Sequence, residues 1–280
     1  MSRIEQRFAA LRSQGRCALI PYIAAGDPEP NITVPLMHAL VRAGADIIEL
    51  GVPFSDPMAD GPVIQRAAER ALEHGISLHQ VLDMVRAFRT QDVTTPIVLM
   101  GYLNPVEVMG YEPFAAAAAA AGVDGVLTVD LPPEEAGSLK ATLAKHKLDA
   151  IYLLAPTSPP ARMRLIAGAA SGFIYYVSLR GVTGASHLNV EEVAERLAAI
   201  RTHTRLPLGV GFGIGTPEAA AAMAKIADAV IVGSAIVRRM EDLVTQADRI
   251  LTEVPGFLSG LRAAMDQATV VAQASRGANR

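Results

Sequence analysis

Eight short runs rich in aliphatic and β-branched residues alternate with longer helical stretches from one end of the chain to the other. Strands that alternate with helices in this way form parallel βα units. Eight units are the number that closes a barrel, although a doubly wound open sheet, which usually has fewer strands, also fits the alternation. The predicted strands are 17–24, 46–50, 96–100, 124–129, 150–154, 173–177, 207–211 and 229–232.

A local pattern recurs where helices return to strands. The segments AGADII (43–48) and AGVDGV (121–126) share a glycine and then an aspartate before apolar residues, and 225–230 and 147–151 are looser versions. The pattern is typical of a helix stop, a polar turn and a buried parallel strand. No linker interrupts the repeated unit, so we expect one domain over 1–280 with a frayed polar tail at 275–280. The predicted helices include 62–73, 132–146, 190–200 and 217–225, and the alanine-rich segment 115–121 is also predicted as helix.

The charge and the cysteine content exclude several classes of protein. The net charge of −3 provides no basic surface for nucleic acid or for an anionic membrane. The single cysteine, Cys17, cannot form an internal disulfide and indicates a reducing compartment. The first residues lack the pattern of a signal peptide, and the most apolar stretch (114–123) is too short for a membrane span. We therefore expect a cytoplasmic protein.

In a barrel, the active site is built from the loops that follow the carboxyl ends of the strands. The four lysines all fall in predicted helices or at their ends, so a Schiff-base aldolase lacks its amine. Of the six histidines, only His187 lies in a loop that leaves a strand, and no pair there has metal-ligand spacing. Cys17 begins the first strand, at the wrong end for a nucleophile. These absences leave carboxylates as the candidate catalytic groups, and we expect no metal.

Glu49 is the first candidate, because it interrupts an otherwise apolar strand near that strand's carboxyl end. A buried carboxyl is costly unless it is used or paired, and apolar surroundings raise its pKa towards the range of a general acid/base. The alternative is a strand-end glutamate that reaches solvent.

The long loop 51–61 follows directly and contains Asp56 and Asp60. Long loops at this end of a barrel are usually functional. Asp60 is a second candidate, although it could instead cap the next helix. For Asp56, which precedes a proline, a role in a turn or an interface is the stronger interpretation.

Two glycine-rich turns, at 209–215 and 233–236, follow strands seven and eight. Backbone amides at such turns bind anions, and barrels often bind phosphate at this position, but the glycines could also serve only to allow tight turns. The loop 178–186 is long, small and polar, which is typical of a lid or of a simple crossing.

The segment IELGVPFSDPMADG (48–61) resembles the signature of the tryptophan synthase alpha subunit family at all fourteen positions. Segments 26–28, 181–184, 211–213 and 233–237 resemble that family too, so the resemblance covers nearly the whole chain. It implies a single (β/α)8 TIM barrel with an extra N-terminal helix. It also implies a lyase that splits indole-3-glycerol phosphate by a retro-aldol reaction into indole and glyceraldehyde 3-phosphate, without a metal or a cofactor in this subunit.

The resemblance also assigns roles to single residues. Glu49 resembles the family's general acid/base, which moves protons at C3 of the indole and at the glycerol hydroxyl, and Asp60 resembles the carboxylate that faces the indole nitrogen. The positions that match the substrate-binding site are Tyr22, Leu127, Tyr175, Thr183, Gly184, Gly211, Phe212, Gly213, Gly233 and Ser234. Among these, Leu127 and Phe212 match residues that pack on the indole, and Gly213, Gly233 and Ser234 match the phosphate-binding residues.

The partner implied by the resemblance is a pyridoxal-phosphate-bearing beta subunit, in an alpha2-beta2 heterotetramer. Pro53, Asp56, Asn104 and Pro132 match the partner-facing surface. The sequence departs from the family pattern at Tyr22, where phenylalanine is more usual, and at Leu179-Arg180 in the lid.

Two other functions compete with this interpretation. A different phosphate-binding barrel enzyme would explain the glycine turns but not the arrangement of Glu49 and Asp60. A binding or regulatory subunit that has lost the chemistry would not need both carboxylates.

Overall fold

Eight parallel strands form a closed barrel in which each strand pairs with the next and β8 pairs with β1. The structure is a computed structural model, and it describes residues 1–178, 189–211 and 213–277. The predicted eight-stranded barrel is confirmed, with strand ends that differ from the prediction by no more than two residues. The strands are β1 Ala18–Ala24, β2 Ile48–Gly51, β3 Ile97–Gly101, β4 Gly125–Thr128, β5 Asp149–Leu154, β6 Ile174–Val177, β7 Leu208–Gly211 and β8 Ala229–Val232.

Helices surround the barrel, and several begin with proline at the first turn, where its missing N–H costs nothing. The described helices are α1 Arg3–Ser13, α2 Pro30–Arg42, α3 Pro62–Glu73, α4 Leu78–Arg89, α5 Leu103–Met109, α6 Tyr111–Ala121, α7 Gly137–Lys145, α8 Pro160–Ala169, α9 Val190–Arg201, α10 Pro217–Ala224, α11 Ser234–Asp242 and α12 Ala247–Gly277. The predicted frayed tail began at residue 275, but residues 275–277 belong to α12. Residues 278–280 lie outside the described part of the chain, so fraying there stays a prediction.

The helix predicted over 132–146 is shorter than expected, because α7 begins only at Gly137. The first residues form a tight turn instead, in which the amide of Glu135 donates to the carbonyl of Pro132 at 3.0 Å. Helical i to i−4 bonding begins with the amide of Lys140 and the carbonyl of Ala136, at 2.8 Å. Pro132 therefore lies in a turn after β4.

Alternate residues of each strand face opposite sides of the sheet. On β2, Ile48 and Leu50 pack into the layer between the sheet and the helices, whereas Ile47 packs into the interior of the barrel. Glu49 has the same parity as Ile47, so its side chain points into the barrel. The register pairs Glu49 with Tyr22 of β1 and with Val98 of β3.

The aspartates of the recurring turn pattern bind the strand next to them. Asp46, Asp124 and Asp228 accept hydrogen bonds of 2.8–3.0 Å from the backbone amides of Leu19, Ile97 and Leu208, respectively. Each of these amides belongs to the preceding strand in the barrel, so the turn aspartate fixes that strand's amino end. The predicted polar turn residue is thus a strand-anchoring group, worth about 1.5–3 kcal/mol where a charged acceptor is involved.

The N-terminal helix α1 covers the amino ends of the strands. Its buried residues Ile4, Phe8 and Leu11 pack into the interior of the barrel, and the rings of Phe8 and Phe173 lie 5.9 Å apart. Arg3 pairs with Asp124 at 2.7 Å at the edge of this contact. The barrel is therefore closed by α1 at one end, which leaves the carboxyl ends of the strands as the open face.

No helix in the described ranges has the length and apolar character needed to cross a membrane.

Candidate active site

Glu49 is buried inside the barrel, with 1% of its surface exposed. Burial, and secondarily the negative charge of Asp60, raises its pKa from 4.5 to about 8. Its Oε1 atom has no hydrogen-bond partner within the described chain. A buried carboxyl oxygen without a partner is costly and points to a ligand that binds it. The alternative interpretation, a strand-end glutamate that reaches solvent, is wrong.

Asp60 lies in the loop between β2 and α3 and is held by a tyrosine rather than by a helix. Its Oδ2 atom accepts a hydrogen bond of 2.9 Å from the hydroxyl of Tyr102. Burial raises the pKa of Asp60, and the Tyr102 hydrogen bond opposes that rise. Helix α3 is capped at Gly61 without a side-chain hydrogen bond, so Asp60 does not cap that helix. Its carboxylate is therefore available for another role.

Glu49 and Asp60 line the same cavity, which has a volume of about 300 Å³ and lies at the open end of the barrel. Its wall includes apolar side chains from β3 and from the first turn of α3, namely Met100, Val63 and Ile64. Two buried tyrosines, Tyr22 and Tyr175, complete the inner wall. The remaining lining residues are Gly61, Pro62, Gly213, Gly233, Ser234 and Arg238. The cavity therefore has two regions: one in which two carboxyl groups lie among apolar side chains, and one that is rich in glycine.

The glycine-rich region is built from the turns after β7 and β8. Gly213 has φ +74°, a left-handed conformation that favours glycine. Gly233 precedes α11, and Ser234 is the first residue of that helix. The first amides of a helix have no partner within the helix and attract anions. Gly213, Gly233 and Ser234 therefore lie together on the wall of the cavity that holds Glu49, and the anion binding expected of them stays a prediction.

Glycines at two strand ends make room for the two tyrosines. A Cβ atom on Gly51 would lie 2.7 Å from Cζ of Tyr22, and one on Gly211 would lie 2.6 Å from Cζ of Tyr175. Real Cβ contacts are not that short, so any other residue at 51 or 211 would displace a ring from the cavity wall. The role of Gly211 in the described structure is thus to admit Tyr175.

The structure brings seven of the predicted site residues together around this cavity. These are Glu49, Asp60, Tyr22, Tyr175, Gly213, Gly233 and Ser234. Leu127 is fully buried in the barrel interior, opposite Met100 in the register, and is not part of the cavity wall. Thr183, Gly184 and Phe212 lie outside the described residues, as do most of the predicted lid and His187.

The predicted partner-facing residues differ in exposure. Asp56 and Asn104 are exposed, and Pro132 is partly exposed. Pro53 is buried, so its side chain offers no surface to a partner in this conformation.

Sequence reasoning did not select Tyr102, Met100, Ile64 or Arg238. Tyr102 and Met100 follow from the register, because β3 pairs with β2 so that Met100 lies opposite Gly51. The position of Tyr102 just after a strand end was a usable signal. Nothing local in the sequence marks Arg238, since its importance depends on which face of α11 meets the cavity.

Among the described residues, no group of three His, Cys, Asp or Glu side chains is placed so that it could hold a metal ion. In the cavity, the carboxyl group of Glu49 is able to transfer a proton, and that of Asp60 is able to stabilise a positive charge. A buried carboxyl group at the carboxyl ends of eight parallel strands, beside a glycine turn and a helix N-terminus after β8, is typical of a TIM-barrel enzyme with a phosphorylated substrate.

Comparison with known proteins narrows this class to one family. The family model described as "Tryptophan synthase alpha chain" matches residues 8–266. The tryptophan synthase alpha chain of Thioalkalivibrio sulfidiphilus is 64% identical over 266 residues, which cover 95% of this chain and 100% of that protein. The one from Nitrosococcus oceani is 60% identical, with coverage of 95% and 98%.

Solved structures support the same family assignment. Tryptophan synthase subunit alpha from Legionella pneumophila strain Paris superposes with a TM-score of 0.89 at 48% identity, covering 95% of this chain and 99% of that one. A chain of Mycobacterium tuberculosis tryptophan synthase gives 0.84 at 39% identity, with coverage of 94% and 98%. The chain belongs to the tryptophan synthase alpha chain family, whose members are lyases of tryptophan biosynthesis.

Proposed function

We propose that this chain cleaves indole-3-glycerol phosphate into indole and glyceraldehyde 3-phosphate, with Glu49 as the acid/base and Asp60 as the charge-stabilising carboxylate. The observation that carries the proposal is the buried, unpartnered Oε1 of Glu49 in a cavity that also contains Asp60 and the glycine turns. These features suit a substrate whose aromatic ring lies in the acidic region and whose phosphate lies in the glycine-rich region.

The raised pKa of Glu49 supports a first step in which it donates a proton. At neutral pH the carboxyl is protonated, because its pKa is about 8. It gives this proton to C3 of the indole, which makes the ring cationic. The Asp60 carboxylate, charged and facing the ring nitrogen, stabilises that cation.

The second step breaks the carbon–carbon bond and restores Glu49. The carboxylate of Glu49 removes the proton from the hydroxyl of the adjacent glycerol carbon. The electron pair of the bond between that carbon and C3 returns to the ring, so neutral indole and an aldehyde form together. One proton leaves Glu49 and one returns, so the reaction needs no redox partner, and we propose that it needs no metal or cofactor in this subunit.

The phosphate is proposed to bind at Gly213, Gly233 and Ser234. The backbone amides of these turns and the N-terminus of α11 favour a negatively charged group. Because the phosphate does not react, its binding energy serves to orient the scissile bond between Glu49 and Asp60.

Incubation of the purified chain with indole-3-glycerol phosphate, with detection of free indole, tests the proposal. Glu49→Gln should keep the fold and lose indole formation by about 10²–10⁴-fold, the usual cost of a missing acid/base. Glu69→Gln is a matched control, because Glu69 is an exposed glutamate on α3. A wild-type chain that forms no indole, or a Glu49→Gln variant as fast as the control, would show that the proposal is wrong.

We also propose that a pyridoxal-phosphate-bearing tryptophan synthase beta subunit binds the open face of the barrel and receives the indole, in an alpha2-beta2 heterotetramer in the cytoplasm. Exposed apolar side chains support an interface there. Met58 of the β2–α3 loop and Val108 of α5 are 84% and 82% exposed, in the same two segments as Asp56 and Asn104. Large apolar groups exposed together commonly mark a binding surface.

A further inference from the structure

Arg238 lines the cavity together with Gly213, Gly233 and Ser234. It lies on α11, four residues after Ser234, and residues four apart share one face of a helix. Long helical side chains lean back towards the helix N-terminus. The guanidinium of Arg238 is therefore carried towards the turn that is proposed to hold the phosphate.

The acid nearest to Arg238 on its own helix is already bound by other arginines. Both oxygens of Glu241 accept hydrogen bonds from Arg66, at 2.5 and 2.8 Å, and Oε1 accepts a third from Arg70 at 3.2 Å. Within the described part of the chain, Arg238 has no hydrogen bond or ion pair. It is thus a cation on the cavity wall that no described acid neutralises.

The other part of the cavity is acidic, in contrast to the part near Arg238. Glu49 and Asp60 supply the acidic groups there, and the unpartnered Oε1 of Glu49 independently points to a ligand in this cavity. A ligand that fits both regions carries its negative charge on the side of Arg238 and Ser234. Arginine suits a phosphate because its planar guanidinium donates two parallel hydrogen bonds.

We propose that the side chain of Arg238 binds the substrate phosphate directly and makes the site selective for phosphorylated substrates over the same compounds without phosphate. This inference rests on the proposed function and adds a side-chain ligand to a phosphate site otherwise made of backbone amides and Ser234.

The first test compares the kinetics of Arg238→Gln, Arg238→Lys and wild type. Arg238→Gln should raise KM for indole-3-glycerol phosphate by about 10-fold, the low end for a lost bond to a charged group at a solvent-exposed site. The value of kcat should change much less, because the phosphate does not react. Arg238→Lys keeps the charge and should restore part of the affinity.

The matched control is Arg239→Gln on the same helix. The guanidinium carbon of Arg239 lies 3.5 Å from the centre of the Phe257 ring, and its Nη1 donates to the carbonyl of Ala235 at 2.8 Å. Arg239 therefore belongs to the packing against α12 rather than to the cavity. Thermal unfolding of each variant separates a binding effect from a loss of fold.

A second test measures binding without turnover, by calorimetric titration with inorganic phosphate, glycerol 3-phosphate and indole. Arg238→Gln should weaken both phosphate-containing probes by about 10-fold and leave indole binding unchanged. Equal affinities in wild type and Arg238→Gln, or an equal loss of all three probes, would overturn the inference. Absence of indole formation by wild type would instead reject the proposed function, while the phosphate titration would still decide the role of Arg238.

Discussion

The hydroxyl of Tyr102 donates a hydrogen bond of 2.9 Å to Oδ2 of Asp60. The same hydroxyl accepts a hydrogen bond of 3.0 Å from the backbone amide of Ala59. Tyr102 follows β3, and Asp60 follows β2, so one phenol joins the loops of two neighbouring strands. Because its hydrogen bond favours the charged form of Asp60, the pKa of Asp60 rises less than burial alone would raise it.

Tyr102→Phe should therefore move the acidic limb of the pH profile of kcat/KM to higher pH. Without the phenol, the pKa of Asp60 rises further, and the carboxylate needed to stabilise the cationic ring is lost at a higher pH. Tyr111→Phe is the control, because the Tyr111 hydroxyl bonds Glu107 on the surface. An acidic limb at the same pH in both variants would show that Tyr102 does not act through the charge of Asp60.

The alkaline limb of the wild-type profile should reflect Glu49. Burial raises its pKa to about 8, so the protonated form that gives a proton to C3 is depleted as pH rises through that value. The rate of indole formation at low substrate should decline above about pH 8. A rate that stays constant well above this pH would argue against Glu49 as the proton donor.

The stability of Glu49→Gln relative to wild type should also depend on pH. The pKa of Glu49 is raised from 4.5 to about 8 in the folded state, so its contribution to stability is complete below pH 4.5 and is lost as pH rises through 8. Glutamine does not ionise. The free energy of unfolding, measured by urea denaturation at several pH values, should shift in favour of the variant as pH rises through this range. A constant difference between the two proteins would contradict the buried, raised-pKa state.

Gly213→Val should weaken the binding of indole-3-glycerol phosphate and of glyceraldehyde 3-phosphate together. Gly213 has φ +74°, which a β-branched residue adopts only with strain of about 1–3 kcal/mol, so the turn must change shape. Indole has no phosphate and should bind almost as before. Gly137→Val is the control, since a side chain there meets nothing within 4 Å. If indole affinity fell as much as the others, general distortion would be the better explanation.

Asp56→Ala should reduce activation by a beta subunit more than it reduces the activity of the chain alone. Asp56 is exposed in the loop that ends with Asp60, and its Oδ2 accepts a hydrogen bond of 2.6 Å from the Ser55 hydroxyl. A partner that binds this loop and orders it must also favour substrate binding, by linkage, and such coupling is typically about 5- to 150-fold. The measurement is indole formation by wild type, Asp56→Ala and the exposed control Asp83→Ala, each with and without the partner. Activity of wild type that the partner leaves unchanged would reject the idea.

The barrel could be predicted because its signals are local. The turn patterns around Asp46 and Asp124 repeat within a few residues of each strand, and the buried strands are continuous apolar runs. Glu49 could be predicted for the same reason, since a charged residue in such a run is conspicuous and its parity with Ile47 places it inside.

The rest of the site depends on contacts between distant segments. Tyr102 meets Asp60 across 42 positions, and Arg238 reaches the cavity only because of how α11 is rotated against the barrel. Pro53 illustrates the reverse problem, because a proline in a polar loop gives no local sign that the fold will bury it. Residue spacing alone predicts none of these three features.

The position of α1 has a consequence for how ligands enter and leave the cavity. The amino end of the barrel is filled by Ile4, Phe8 and Leu11. A ligand therefore cannot enter or leave the barrel at that end. Each ligand must use the open face at the carboxyl ends of the strands, which is the face proposed to bind the beta subunit. A partner bound there, as proposed, would therefore control the order of binding and release, because the proposed substrate and both proposed products share one opening.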